Sequence, residues 1–207
     1  MPRYGTIDRD YGMRLATCDP EADGPVYMLN LMKYRAVADY GDGETGGVTG
    51  VEADDIYAPV DVLTDIGARI VLTANVRRAT EDWDRVAVVK YATRRSFIEM
   101  QSRRDFQEKH VHKEAGMDHT TVMGTLPDDA LPERAKPKEV VLHVWRGDRP
   151  ASIPTDARTF TVEGTIIGDG RQWSGAAWAT SDGDGDVPVG SPDHQVLVLE
   201  PLIDRWV

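Results

Sequence analysis

The segment Val26-Tyr27-Met28-Leu29-Asn30-Leu31-Met32-Lys33-Tyr34 is apolar on both of its alternating faces. A strand of that kind is stable only where both sides are covered, so this chain must build layers above and below it. The downstream segments supply them. After a Gly-rich loop at 41–50, residues 53–66 read as a helix with Ile56, Tyr57, Val60 and Leu63 on one face and Pro59 as a kink. Residues 68–76 and 83–91 read as strands. Thr93 is a helix N-cap, and the helical region 94–114 breaks near 102–105, with Phe97, Met100, Phe106 and Val111 on its apolar side. Gly116 ends it, and 117–126 is a fourth strand. The order βαββαβ is that of the ferredoxin-like, or split βαβ, motif.

The chain as a whole divides into four units: an N-terminal arm (1–24), this first half (25–126), a Pro-rich linker (127–138) and a β-rich second half (139–207). The second half predicts strands at 140–146, 160–167, 173–180 and 194–201. It repeats the first. Met28-Leu29-Asn30-Leu31-Met32-Lys33 lies against Val141-Leu142-His143-Val144-Trp145-Arg146, and Trp83 against Trp173. The second-half helices shrink to 153–158 and to an acidic loop. The predicted fold class is therefore α+β: a ferredoxin-like α+β barrel formed as a pseudo-dimer within one chain, its two sheets facing each other across a hollow. The second sheet's outer face lacks helices, so the arm or a second chain must cover it, which points toward a homodimer.

Composition narrows the function. A net charge of -11 argues against nucleic acid as a partner. No apolar run reaches the ~20 residues of a membrane span, and Met1-Pro2-Arg3-Tyr4-Gly5 lacks the apolar core of a secretory signal. The expectation is a soluble, cytoplasmic protein. With Cys18 as the single cysteine there is no disulfide framework.

Residues 26–126 resemble a family of small bacterial proteins, domain of unknown function 1330. The resemblance is carried by the opening strand with its Asn30, by Gly67-Ala68-Arg69, by Trp83-Asp84-Arg85-Val86-Ala87-Val88-Val89-Lys90-Tyr91 with Arg94-Arg95-Ser96-Phe97, and by His112-Lys113 with Ala115-Gly116-Met117-Asp118. Ala92 stands where the family usually has Pro. The resemblance implies a dimeric α+β barrel of the ferredoxin-like type. The wider superfamily includes cofactor-free monooxygenases, lactone isomerases, decarboxylases and haem enzymes, and fold alone does not choose among them.

The candidate catalytic residues are His143, Asn30 and His112. Asn30 interrupts an apolar strand and His143 holds the matching place in the second half. Across a hollow barrel they would meet, His143 as general base and Asn30 stabilising an oxyanion. His112 matches the family pattern. Met28, Met32 and Tyr34 share the face of Asn30, Trp145 that of His143, and with Tyr57 they are the candidate substrate-binding residues. Arg94, a cation at a helix start, is a candidate carboxylate contact. His110, His112 and His119 do not have the spacing of a metal site, and no metal is expected. Asp182-Gly183-Asp184-Gly185-Asp186 departs from a calcium loop at Val187 and Pro188 and reads as a solvated acidic loop. The sequence thus predicts a cofactor-independent small-molecule enzyme, an isomerase, cyclase, lyase or cofactor-free oxygenase working inside the barrel. A non-catalytic binding protein of the same fold is the alternative, and a haem-dependent enzyme a third.

Overall fold

The structure is a computed structural model in which residues 4–41, 47–131, 137–181 and 190–206 are described. Its elements are β1 (Thr6–Ile7), α1 (Arg9–Ala16), β2 (Val26–Tyr34), α2 (Gly50–Tyr57), α3 (Val60–Asp65), β3 (Arg69–Ala79), β4 (Arg85–Tyr91), α4 (Arg94–Ser102), α5 (Arg104–Gly116), β5 (Met117–Pro127), β6 (Glu139–Trp145), β7 (Arg158–Gly168), β8 (Gly175–Ser181) and β9 (His194–Asp204). The acidic run Asp182–Asp186 and part of the 127–138 linker lie outside the described residues.

Eight strands, β2 to β9, close into an antiparallel barrel in the order β7-β5-β2-β4-β3-β9-β6-β8, with β8 returning to β7. Within 25–126 the neighbours run β5-β2-β4-β3, and within 139–207 they run β9-β6-β8-β7. Each half therefore places its first strand between its fourth and third and leaves its second at an edge. The edges meet reciprocally, β3 on β9 and β7 on β5. The register repeats as well. Asn30 faces Ala87 across β2–β4, and His143 faces Ala177 across β6–β8.

The barrel axis is filled. Tyr27, Leu29 and Leu31 from β2 meet Leu142, Val144, Phe160, Trp178, Leu197 and Leu199 from the second half in one buried cluster. Trp206 stacks on Tyr27, at 6.1 Å between ring centroids, and packs on Phe160 and Trp178. Even the polar Gln195 is consumed there, accepting a hydrogen bond from Trp83 Nε1 at 3.0 Å. The expected hollow is replaced by a core, because large aromatic side chains project inward from both halves.

A second core lies outside the barrel, between the helices and the outward side of the first half's strands. Here α2 starts on Thr49 with a capping box to Glu52. It crosses the end of α5 so closely that a Cβ on Gly50 would stand 2.5 Å from the Gly116 carbonyl oxygen. The single helix expected over 53–66 is two, because Pro59 cannot continue the hydrogen-bond ladder. The break changes the helical phase, so Ile56 and Val60 are each 52% exposed while Ala53, Val62 and Leu63 are buried. The 94–114 region likewise divides at Arg103, and Val111 faces outward.

The arm is more ordered than its composition suggests. Asp8 caps α1 through Tyr11 N (2.9 Å), and Tyr11 and Leu15, four residues apart, are fully buried. Tyr11 lies over the β5–β7 seam, where a Cβ on Gly124 or Gly164 would overlap it, and its hydroxyl donates to Glu163 (3.1 Å). The outer face of the second half is not bare either. Ile153 and Ala157, from a turn where a short helix was expected, pack on Trp145 and Ala177. No helix among the described residues is long and apolar enough to cross a membrane.

Candidate active site between the helices and the sheet

A strand's parity decides which side chains a barrel encloses. In β2 the inward set is Tyr27, Leu29 and Leu31, so Met28, Asn30 and Met32 project outward beneath the helices. There they floor a cavity of about 310 Å³, a size that suits a small ligand. Ala87 and Val89 of β4, Ile70 and Thr73 of β3 and Val122 of β5 extend the floor. Tyr57, Pro59, Val60 and Leu63 above, with Phe97, Met100, Phe106, His110 and Lys113 of α4 and α5, form the roof and back wall.

Asn30 Nδ2 donates to the Met28 carbonyl at 2.9 Å. One amide N–H is used, which leaves the second N–H and Oδ1 for a ligand. Its end of the cavity is charged. The Tyr34 hydroxyl donates to Asp54 Oδ2 at 2.6 Å, and Arg85 Nη1 bonds the same oxygen (3.3 Å) and Asp55 Oδ1 (2.9 Å). Burial, then the Asp54 charge, pushes the Tyr34 phenol up, so it remains a donor. Arg85 Nε is buried without a partner.

Along α5, residues 106, 110 and 113 share one stripe. His110 Nε2 is 2.9 Å from the Tyr4 hydroxyl, while its Nδ1 is buried and unpartnered. Whether Nδ1 carries the proton or the lone pair depends on which way the Tyr4 hydrogen bond runs. Burial lowers the His110 pKa, so the imidazole is neutral at pH 7. Lys113 is 8% exposed, and its Nζ sits 5.0 Å from the centre of the Tyr57 ring. Burial pulls the ammonium pKa down against the opposing pull of Asp54. Tyr57 is itself held well above the usual phenol range by burial.

Of the residues singled out by sequence, Asn30, Met28, Met32 and Tyr57 line this cavity, and Tyr34 reaches its polar end through Asp54. His143 does not join them. It also projects outward, but from the opposite side of the barrel, and the two never face one cavity because the residues between them are Leu29, Leu31, Leu142 and Val144. His143 Nδ1 is 3.0 Å from His194 Nε2, with the rings stacked at 5.2 Å. Burial first, then His194 and Arg149, lowers its pKa to about 4. Trp145 lies over Gly175 and is sealed by Ile153. His112 leaves α5 on another side and bonds the Tyr40 hydroxyl through Nδ1 (2.9 Å). Arg94 is no carboxylate site for a ligand. Its Nε is bound to Glu163 (2.8 Å) and its backbone N to Asp23 (2.7 Å), which fastens α4 to the arm. The three neighbouring histidines also diverge, His119 pairing with Asp118 (3.0 Å). No group of three or more metal-ligating side chains occurs among the described residues.

Asp54 was not named by sequence; Arg85 and Lys113 entered only within the motifs of the resemblance, and His110 only as a metal ligand set aside for its spacing. A signal existed for two of them: Phe106, His110 and Lys113 recur at i, i+4 and i+7, which is one helix face.

No family model and no curated protein matches the sequence. Among solved structures, the chain is similar to the RPA0582 protein of unknown function from Rhodopseudomonas palustris, with 24% identity, a TM-score of 0.51, and coverage of 58% of this chain and 94% of that one. A methylated form of RPA0582 gives a TM-score of 0.52 at 24% identity, over 60% of this chain and 94% of the other. At that identity the likeness is one of fold. A Lactobacillus acidophilus protein provisionally named a monooxygenase is more remote, with 12% identity and a TM-score of 0.42 over 86% of this chain and 94% of its own, and carries no argument.

Proposed function

We propose that the protein is a small-molecule enzyme performing acid–base chemistry on an apolar, carbonyl-bearing substrate held between the helices and the sheet of its first half. The barrel interior has no part in it. The observation that carries this reading is the setting of Asn30 and a neutral His110 in the walls of one largely apolar cavity of about 310 Å³. A free amide N–H of Asn30 orients and polarises a carbonyl. His110, held neutral by its surroundings, accepts the adjacent acidic proton and returns it, the work of an isomerase, cyclase or lyase. Oxygenation of an electron-rich substrate in the same cavity is a variant. In this reading the chain is an intrachain pseudo-dimer of two ferredoxin-like halves, related to the domain of unknown function 1330 family. The repeated strand order and the matched pairs Asn30–Ala87 and His143–Ala177 support the pseudo-dimer.

The test is proton exchange on phenylacetone in heavy water, followed by proton NMR. The expected result is saturable binding with deuterium uptake beside the carbonyl above the buffer rate, reduced on the order of 10²-fold in His110→Gln and in Asn30→Ala. Binding without exchange would turn the reading into that of a carrier. No binding at all would remove the cavity from the account.

A further inference from the structure

Lys113 is the buried cation that the acid–base reading leaves unused. At 8% exposure the side chain has little contact with water beyond the cavity whose wall it forms. Among the described residues no hydrogen bond or ion pair reaches its Nζ. The carboxylate that could pair with it, Asp54, has Oδ2 bound by Tyr34 and Arg85. The face of Tyr57, 5.0 Å away, is the remaining stabilising contact for a positive charge. Such a cation–π contact contributes about 1–2 kcal/mol. Holding an ammonium in an apolar cavity wall with no charged partner bound to it costs several. The balance favours the free amine, and a free amine in the wall of an apolar cavity is a nucleophile.

We infer that Lys113 is a catalytic nucleophile that forms an imine with aldehyde or ketone substrates in the helix–sheet cavity. This rests on the proposed function and specifies its substrate class and its covalent step. The Nζ lone pair adds to the carbonyl carbon. The C–N bond forms as the carbonyl π bond breaks, and the oxygen takes a proton to give a carbinolamine. Nitrogen then gives up its proton, the C–O bond breaks, and one water leaves. The overall change is amine plus carbonyl to imine plus water, with no oxidation or reduction. His110, one turn back on α5, is placed to serve the adjacent C–H once the imine is protonated, when that C–H is far more acidic than in the parent carbonyl.

The experiment is reductive trapping. The full chain is incubated with benzaldehyde and sodium cyanoborohydride at neutral pH, and the product is mapped by peptide mass spectrometry. The chain has six lysines. Solvent-exposed ones leave on the order of one amine in a thousand unprotonated at neutral pH. A single secondary amine at Lys113, enriched roughly tenfold or more over each of the other five, is expected. Lys113→Met, which places an apolar chain in an apolar wall, should fold, lose the adduct and retain saturable binding of toluene. Toluene matches benzaldehyde in shape and has no carbonyl. Adducts spread evenly over the lysines, or an adduct count unchanged in Lys113→Met, overturn the inference. Toluene binding by the wild type without a Lys113 adduct overturns it while leaving the cavity reading intact. Absence of both toluene binding and adduct removes both.

Discussion

Asn30 and His143 occupy matching places in the two halves of one barrel. Each sits on the first strand of its half, projects outward and faces an alanine on the third strand. Their surroundings differ in what lies above them. Over Asn30 the helices stand off the sheet and leave a cavity. Over His143 the cover comes down to the strands. His194 closes on the imidazole, and Ile153 and Ala157 fill the space around Trp145 and Ala177. The same strand scaffold therefore yields a site or a seal according to the segment that covers it. On the proposed function, the covering elements decide where chemistry can occur, with the barrel as the base beneath them.

The comparison breaks most visibly if the barrel is not a core common to both halves. Trp178 belongs to the second half and packs against Trp206 among first-half side chains. Trp178→Ala is expected to cost about 3–5 kcal/mol by urea denaturation, with a single transition for the whole chain. A cost below ~1 kcal/mol, or two separate transitions, would show that the halves do not depend on a common interior.

Leucine at the two matched alanines sharpens the contrast. Ala177→Leu must displace Trp145 or Ile153 and should destabilise by about 1–3 kcal/mol. Ala87→Leu projects into open space and should cost under ~1 kcal/mol while abolishing phenylacetone binding. Equal costs would mean that the two covers are equally tight.

pH separates the two sites further. His143 titrates at about 4 in the fold, against ~6.5 when unfolded. Between those values the unfolded chain binds more protons, so stability is lost as pH falls through that window. Between pH 7 and pH 5 the loss attributable to this site is about 1–2 kcal/mol. His143→Gln, which keeps a partner for His194, should flatten the profile, as read from denaturant midpoints across pH.

The smallest effect has the opposite sense. Lys113→Met is expected to raise stability by about 1 kcal/mol at neutral pH, because methionine fills the site with no ammonium to desolvate or deprotonate on folding. The folded pKa of Lys113 lies below its unfolded value, so in the interval between them wild-type stability rises with pH. The advantage of the variant should accordingly shrink as pH approaches ~10. A variant less stable than wild type at every pH would indicate that Lys113 is held in place as a paired cation.

Element order is legible in the sequence because the strand segments are short, apolar and separated by Gly, Pro and capping residues; Thr93 and Gly116 bound their helices as expected. Parity is not legible. In Val26–Tyr34 both alternating sets are apolar, so nothing in composition tells Leu29 from Met28. Sequence reasoning therefore assigns the interior to the wrong set and turns Asn30 into the barrel, whereas it faces the cavity beneath the helices. Asn30 survives as a cavity residue because its polarity, and not its direction, marks it out. His110 and Lys113 are not read as cavity residues because α5 is rich in charge, and its inward face is recognised only when a buried lysine and histidine are counted on it. In the arm, Tyr11 and Leu15 are too few to make a periodic pattern, and the glycines that receive Tyr11 lie more than a hundred residues away.

The reciprocal edges have a consequence for the life of the chain. The free side of β3 is satisfied by β9, through pairings such as Leu72 with Asp204, and β9 leaves the ribosome long after β3. Until it arrives, the nascent first half presents an open strand edge and an uncovered inner face rich in Tyr, Leu and Val. That is the surface on which neighbouring chains would aggregate. Closure must also wait for partners distant in sequence, which makes it slow. Synthesis of this protein should therefore lean on chaperones, and a ribosome stalled within the second half would release one of the more hazardous intermediates the chain can form.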